Sequence, residues 1–221
     1  MAQLDCATSF MIRVFFGSPG AGKTTLAVAF AKRFKRRGYK SAWLNFEFHD
    51  LPKGCYEFST DLLGYFTPPE HAYIAIDEAG IDYNNRSYKT MSKEAIRYFK
   101  LHRHYAVDID VFSQSWDDMD VTIRRLANEL WHIVRIGPFT ACRLVTRYVT
   151  VDKDSHQIVD GYKQASKFAI LTSWLSKFCP VFSRKWMLIR RRKYYKHFDS
   201  WTRPNIPIFP QYESESSSQP A

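Results

Sequence analysis

Gly17-Ser18-Pro19-Gly20-Ala21-Gly22-Lys23-Thr24-Thr25 is the stretch whose reading decides the fold. It follows the apolar run Met11-Ile12-Arg13-Val14-Phe15-Phe16 and leads into Leu26 to Arg37, where Leu26, Ala27, Phe30, Ala31 and Phe34 recur at helical spacing. A strand, a bend of pattern G-x-x-x-x-G-K-T and a helix together make a cradle for polyphosphate. Gly17, Gly20 and Gly22 can take backbone angles closed to other residues, so successive N–H groups can curl around an anion. The helix start adds N–H groups without intrahelical partners and a partial positive charge. Gly17 to Thr25 are therefore the expected ATP-binding residues, with Lys23 reaching the β- and γ-phosphates and the Thr24 hydroxyl on Mg²⁺. The competing reading, a chance glycine turn, needs the flanking strand and helix to be coincidence.

Outward from this loop, strands and helices alternate. The first helix is expected over Lys23–Arg37, with Lys32, Arg33, Lys35, Arg36 and Arg37 at its C-terminal end and Gly38 as its stop. Ser41 to Phe46 reads as a second strand, and an irregular segment with Pro52, Gly54, Gly64, Pro68 and Pro69 follows. Ala72 to Ile76 is a short apolar run of the kind a buried parallel strand shows. Ser92 is placed to cap a helix reaching about Arg103, and Ile109 to Phe112 reads as another buried strand. Val121 to Leu130 reads as helix; Trp131–Ile136 and Ala141–Val151, broken at Gly137-Pro138, read as two antiparallel strands at the sheet's edge. The predicted architecture is an α/β P-loop NTPase: a mostly parallel sheet sandwiched by helices, with an antiparallel edge hairpin. One domain is expected over residues 1–201, followed by a disordered Pro/Ser-rich tail over 204–221.

In such a sheet, phosphate binds at the carboxyl ends of the strands, and Mg²⁺ needs a carboxylate there. Asp77, directly after Ala72–Ile76, is the expected metal-linked residue with Thr24, and Glu78 the expected catalytic residue that polarises the attacking water. Gln114 ends the run Asp110-Val111-Phe112-Ser113 and is placed to sense the γ-phosphate or orient water. Against these stand plainer roles: a turn former at Asp77, a solvated charge at Glu78, a turn residue at Gln114. Charge lost from the γ-phosphate calls for a guanidinium. The candidates are Arg86, Arg103, Arg124 and Arg125, with Arg103 ranked first for its surroundings.

The 221 residues carry 32 Lys+Arg against 22 Asp+Glu, a formal charge of +10. That excess suits a polyanionic partner, nucleic acid or an anionic membrane face, although a basic surface also simply aids solubility. Cys6, Cys55, Cys142 and Cys179 have no metal or redox spacing and are expected as small buried residues in a reducing compartment. No signal peptide is expected from Met1–Phe10, and no membrane span from Phe168–Ile189, which Lys177, Pro180, Arg184 and Lys185 interrupt. That segment could lie on a membrane surface through Trp174, Phe178 and Trp186, or be ordinary packed chain. From Arg184 to Arg203, eight cations interleave with Trp186, Tyr194, Tyr195, Phe198 and Trp201 against the single acid Asp199. Single-stranded DNA, anionic lipid and packing onto the sheet all remain open for it.

Three blocks carry a family resemblance: Asp77-Glu78-Ala79-Gly80, the run YNNRSYK over 83–89, and LHRHYAVDIDVFSQS over 101–115. Together with the loop they resemble the zonula occludens toxin-like (Zot) family, the filamentous-phage assembly ATPases usually placed near the FtsK/HerA P-loop motors. The matching positions are Gly17–Thr24, Asp77-Glu78, Arg103-His104-Tyr105 and Asp108–Gln114, and the resemblance spans about residues 10 to 201. It implies an ATPase that powers assembly or export of a filamentous phage. Single-stranded DNA or coat and assembly proteins would be its partners, and a homo-oligomeric ring would let a neighbouring subunit supply the arginine. It further implies a place in the host cytoplasm at the inner membrane, with peripheral contact through 168–203. Many members continue into a transmembrane helix and an outer region; here neither is expected before Ala221. Two other functions compete: a small-molecule P-loop kinase, and a nucleotide-regulated adaptor without productive hydrolysis.

Overall fold

Where β-branched and aromatic residues gather between glycine- and proline-bearing turns, the chain runs extended, and the extended runs lie side by side. The computed structural model describes residues 10–78, 92–151, 158–163 and 186–198. Among these, nine strands form one sheet: β1 Ile12–Phe16, β2 Ser41–Leu44, β3 Cys55–Glu57, β4 Ala72–Ile76, β5 Val107–Ser113, β6 Glu129–Ile136, β7 Phe139–Val151, β8 Ile158–Lys163 and β9 Trp186–Arg190. The helices are α1 Lys23–Ala31, α2 Lys93–Leu101 and α3 Val121–Leu126. The sheet order is β3-β2-β4-β5-β1-β6-β7-β8, with β9 also on β7. β3 through β6 in that order are mutually parallel; β7 runs antiparallel to β6, and β8 and β9 run antiparallel to β7. β1 is central, flanked by β5 and β6, so the loop after it opens at the middle of the carboxyl edge.

Each sheet face has its own core. Ile12, Val14 and Phe16 face one way with Ile74, Ile109 and Val111, packing under Tyr98 and Phe99 of α2 and Ile123 of α3. Phe15 faces the other way with Tyr73 and Phe112 beneath α1, whose Leu26 to Ala31 are buried throughout. A helix apolar all round is a core helix. Phe15 lies between Phe112 and Trp131, with ring centroids 5.0 and 6.1 Å away. Burying rings of this size contributes about 1.5–3 kcal/mol each. The described span contains no helix long and apolar enough to cross a membrane.

Several boundaries differ from expectation for physical reasons. α1 stops at Ala31, and Phe34–Arg37 tighten into a 3-10 turn that ends at Gly38 with φ +88°. That turn buries Phe34 and lays the Arg37 guanidinium over Phe30, 4.7 Å from its centroid, while spreading a dense run of cations. α3 ends at Leu126 rather than Leu130. Asn128 leaves helical geometry to bond the start of β1, its N–H donating to Ile12 O at 2.8 Å and its Oδ1 accepting from Ile12 N at 2.9 Å. Leu130 consequently belongs to β6. The antiparallel edge is present as expected and extends further: β6 sits parallel beside β1, β7 runs antiparallel to β6, and β8 and β9 continue that edge beyond β7. β3 falls in the segment read as irregular; its three residues are too few to leave a period. α2 matches expectation, with the Ser92 side chain accepting from Ala95 N, although it ends at Leu101.

Part of the basic-aromatic run is built into the fold. β9 pairs with Phe139–Arg143, then the chain crosses the C-terminal end of α1. Tyr194 is buried and accepts from Arg33 at 3.1 Å; His197 is buried, its Nε2 2.9 Å from Lys32 Nζ. Packing therefore accounts for those residues, while Arg190, Arg192, Lys193, Tyr195 and Lys196 are exposed. Cys142 is buried and Cys55 half-buried, and burial pushes their thiols up to about 12 and about 11. Cys6, Cys179, Arg86, the tail over 204–221 and all of 168–185 lie outside the described residues.

Candidate functional site

The loop from Gly17 to Gly22 is fixed at its two ends and open between. Gly17 N donates to Ser113 O at 3.3 Å, tying the loop to the end of β5. A side chain at Gly17 would collide with the Ile133 carbonyl of β6, so the residue is glycine because a strand passes there. At the other end Gly22 caps α1 with φ +101°, and a Cβ there would run into the Thr140 hydroxyl of β7. Thr140 Oγ1 in turn donates to Ala21 O at 3.0 Å. No side chain caps the N–H groups of the first turn of α1. Between the ends, Ser18, Pro19 and Gly20 are exposed. This is a concave anion cradle at a helix N-terminus.

Lys23 and Thr24 open the helix and point to opposite uses. Lys23 is buried and folds back on its own loop, its ammonium donating to Gly17 O at 2.8 Å and Ser18 O at 3.2 Å. Burial lowers its pKa from the ordinary lysine value, and the nearby Asp77 and Glu78 carboxylates oppose that shift. Thr24 Oγ1 donates to Asp77 Oδ2 at 2.5 Å. Thr25 turns into the core. The loop lysine and the acid after β4 thus share one end of one sheet.

Asp77 is held on all sides. Its carboxylate also accepts from Glu78 N at 3.0 Å. Its backbone is clamped by Asn45, whose Oδ1 accepts from Asp77 N at 2.7 Å and whose Nδ2 donates to Asp77 O at 2.9 Å. Burial pushes the Asp77 carboxyl above its usual range, with the two hydrogen bonds pulling the other way. Asn45 was not singled out from the sequence. Its signal was present all the same: it is the first polar residue past β2, on the carboxyl edge where sites of this fold assemble. Its clamp also ends β2 at Leu44, two residues short of the expected boundary.

Glu78 is exposed and sits at φ +53°, a conformation side chains rarely adopt and one that clusters at functional sites. Gln114 is exposed directly after β5, beside the Ser113 carbonyl that holds Gly17. Arg103 is elsewhere. It is exposed in the turn between α2 and β5, at the amino edge of the sheet. The seven residues of β5 separate it from the loop edge by roughly 20 Å. Arg124 and Arg125 lie in the last turn of α3. The fold therefore brings together Gly17–Thr25, Asp77, Glu78 and Gln114, and leaves Arg103 at the far end.

A family model, zonular occludens toxin (Zot), matches residues 57–171, just over half of the sequence. The chain belongs to the Zot family. No curated protein matches the chain significantly. Among solved structures, the N-terminal domain of zonular occludens toxin from Neisseria meningitidis is 20% identical with a TM-score of 0.49, covering 72% of this chain and 95% of that one. The genome-packaging NTPase B204 of Sulfolobus turreted icosahedral virus 2, in complex with ATP-gammaS, is 12% identical with a TM-score of 0.44, over 71% and 98% of the two chains. The flagellar accessory protein FlaH of Methanocaldococcus jannaschii is 10% identical with a TM-score of 0.42, over 70% and 90%. The Zot match covers Asp77, Arg103 and Gln114 and begins after the glycine loop, so the loop's reading rests on its own geometry.

The Zot block DIDV over 108–111 also has a structural reading. Asp110 is buried and accepts from Arg13 Nε at 2.6 Å and from Tyr73 OH at 2.9 Å. Asp108 accepts from Met11 N at 2.7 Å and from the Tyr39 hydroxyl. These acids tie β5 to β1 and to β4 beneath α1; they are not at the carboxyl edge.

Proposed function

We propose that this Zot-family chain hydrolyses ATP at the carboxyl edge of its sheet, as the motor for assembly or export of a filamentous phage. The observation that carries the nucleotide reading is the 2.5 Å contact between Thr24 Oγ1 and Asp77 Oδ2, beside Lys23 and the uncapped start of α1. A hydroxyl and a carboxylate oxygen converging on one point are hard donors, and Mg²⁺ characteristically takes one or two protein oxygens with phosphate and water completing its shell. The residues present therefore fit Mg²⁺, with Thr24 and Asp77 holding it. When bound, the ion would neutralise charge on the β- and γ-phosphates.

The rest follows from the chain's own groups. The first N–H groups of α1 would bind phosphate oxygens. Lys23 would exchange the Gly17 and Ser18 carbonyls for the β- and γ-phosphates, whose negative charge favours its ammonium form. Glu78 would accept a proton from the attacking water and Gln114 would orient it. Arg103, at the opposite edge, would serve the site of a neighbouring subunit, which makes a homo-oligomer part of the reading. Single-stranded DNA or coat and assembly proteins would be the cargo, with the protein working in the host cytoplasm at the inner membrane. The deciding experiment is ATP hydrolysis against protein concentration, with and without single-stranded DNA. The reading expects a rate per subunit that rises with both; equal hydrolysis by Lys23→Ala would end it.

A further inference from the structure

The β3 end of the sheet carries a cluster of exposed apolar side chains beside a groove. Trp43, Phe58, Leu62, Leu63, Phe66 and Ile74 line a groove of about 410 Å³, with Glu57 at its rim. Four large apolar side chains stand exposed within eleven residues: Tyr56, Leu62, Tyr65 and Phe66, the last with 70% of its surface in solvent. Contiguous apolar exposure of this kind marks a surface that another molecule covers. The charge is equally unusual. Residues 45–71 hold Glu47, Asp50, Glu57, Asp61 and Glu70 against the single cation Lys53, in a chain whose net charge is +10.

The complementary surface exists on the same molecule. Residues 187–198 hold Arg190, Arg191, Arg192, Lys193 and Lys196 and no acid, with Leu188 and Tyr195 exposed among them. The sheet order sets β3, next to the groove, at one end and β9 on β7 at the other. Along the sheet β9 is seven strands from β3, but the chain after β9 crosses back over α1, and residues 194–197 reach the β2–β3 connection of the same copy. Where the two charge classes do meet within one copy, they attract: Lys196 lies 3.9 Å from Asp50, and His49 N donates to His197 O at 2.8 Å. That contact engages Asp50 and leaves Glu57, Asp61 and the groove uncovered.

We propose that the acidic apolar groove around Phe66 receives the basic β9 segment, Leu188 to Lys193, of a second copy of this chain. Two different patches make a head-to-tail contact, which closes into a ring or runs on as a filament. The apolar groove supplies the buried centre and the charges the rim and register. This deepens the oligomer of the functional reading. β9 lies beside Thr140 of β7, which bonds the glycine loop, but none of the residues exchanged below is a nucleotide-site residue, so the two readings can fail separately.

The test is charge exchange, read by sedimentation velocity of the full chain with a fluorescent ATP analogue titrated in parallel. Wild type should self-associate, and association should weaken at least tenfold between low and high salt. Glu57→Arg with Asp61→Arg should sediment as monomer, as should Arg192→Glu with Lys193→Glu, both still binding the analogue. Mixing the two variants should restore a heterologous complex. Phe66→Ser, which leaves every charge in place, should also be monomeric. A monomeric wild type, unchanged association in both charge variants, or no complex on mixing would each overturn the proposal. Loss of single-stranded DNA binding in the Arg192→Glu, Lys193→Glu variant with unaltered self-association would also overturn it, by assigning that face to nucleic acid. Loss of analogue binding by wild type would defeat the nucleotide reading and leave the interface standing.

Discussion

A cation meets a carboxylate at two places on this sheet, and the two places are built for opposite ends. Under α1, Arg13 and Asp110 bond at 2.6 Å, and Tyr73 supplies the carboxylate's second partner. Burial disfavours the Arg13 charge, and Asp110, Tyr39 and Tyr73 together more than reverse this, so its pKa is raised. Burial and the neighbouring carboxylate likewise push the Tyr73 hydroxyl well up. The two charges cancel, with Arg13 Nη2 buried and unbonded beside them. At the carboxyl edge, Lys23 and Asp77 do not bond each other. Lys23 leans on carbonyls of its own loop, and Asp77 takes a hydroxyl and an amide. Each carries a pKa displaced toward its neutral form. A pair that neutralises itself has nothing left to offer a ligand; a pair kept apart, each half under-compensated, is a standing demand for phosphate and a cation.

The largest effects test that division. Lys23→Ala should lower ATP turnover by on the order of 10³ or more, since the side chain meets charge that develops in the reaction. Its melting temperature should barely move, because the burial cost of the ammonium goes together with its bonds to the buried Gly17 carbonyl and the exposed Ser18 carbonyl. Arg13→Met should do the reverse. It strands a buried carboxylate and should cost about 3–5 kcal/mol of stability in chemical denaturation, with nucleotide affinity in the surviving folded fraction unchanged. A stable Arg13→Met protein with impaired nucleotide binding would collapse the distinction between the two pairs.

Half of this contrast is visible in the sequence. The glycine loop announces itself because its chemistry is local: every group it needs lies within nine residues between a strand and a helix. Asp77 is legible for the same reason, as the first polar residue after a buried run. Asn45 is harder, since its role depends on β2 lying beside β4, a pairing that no period records. The acids of β5 are harder still. Asp108 and Asp110 look like a functional doublet until Arg13, Tyr39 and Tyr73 are seen around them. The boundary of α3 fails similarly: helical periodicity runs through Leu130, but Asn128 is needed by Ile12, more than a hundred residues away. Arg103 shows the limit in the other direction. Its place in the sequence pattern is clear, yet only the direction of β5 reveals that it cannot reach its own subunit's loop.

Asn45→Ala sharpens the comparison at intermediate scale. Asn45 touches only the backbone of Asp77, so its loss should loosen the carboxylate without removing it. The expected result is a roughly 10–100-fold higher Mg²⁺ concentration for half-maximal turnover, typical of losing a group that orients a metal ligand. Nucleotide affinity measured without metal should be nearly unchanged. A smaller consequence concerns pH. With its folded pKa raised, Asp77 binds more proton in the folded than in the unfolded state between its ordinary value, about 3.9, and the raised one. Ligand-free stability should therefore fall as pH rises through that window. Asp77→Asn should flatten that slope in calorimetric melts and raise the melting temperature at neutral pH.

Glu78→Gly separates strain from chemistry at the same edge. Glu78 holds φ +53° while its amide donates to Asp77. A non-glycine residue in that region costs about 1–2 kcal/mol, and glycine gives some of this back through its own unfolded-state entropy. The substitution should leave the fold unchanged or up to about 1 kcal/mol more stable, while removing the carboxylate that would take the water's proton. Gain in stability with loss of turnover identifies a residue kept in a strained position for what its side chain does. Glu78→Ala supplies the control: it deletes the same carboxylate but keeps a Cβ, so it should match the loss of turnover without the gain in stability. Full turnover in both variants would return Glu78 to the status of a solvated charge, and the strain at that position would then belong to the Asp77 clamp alone.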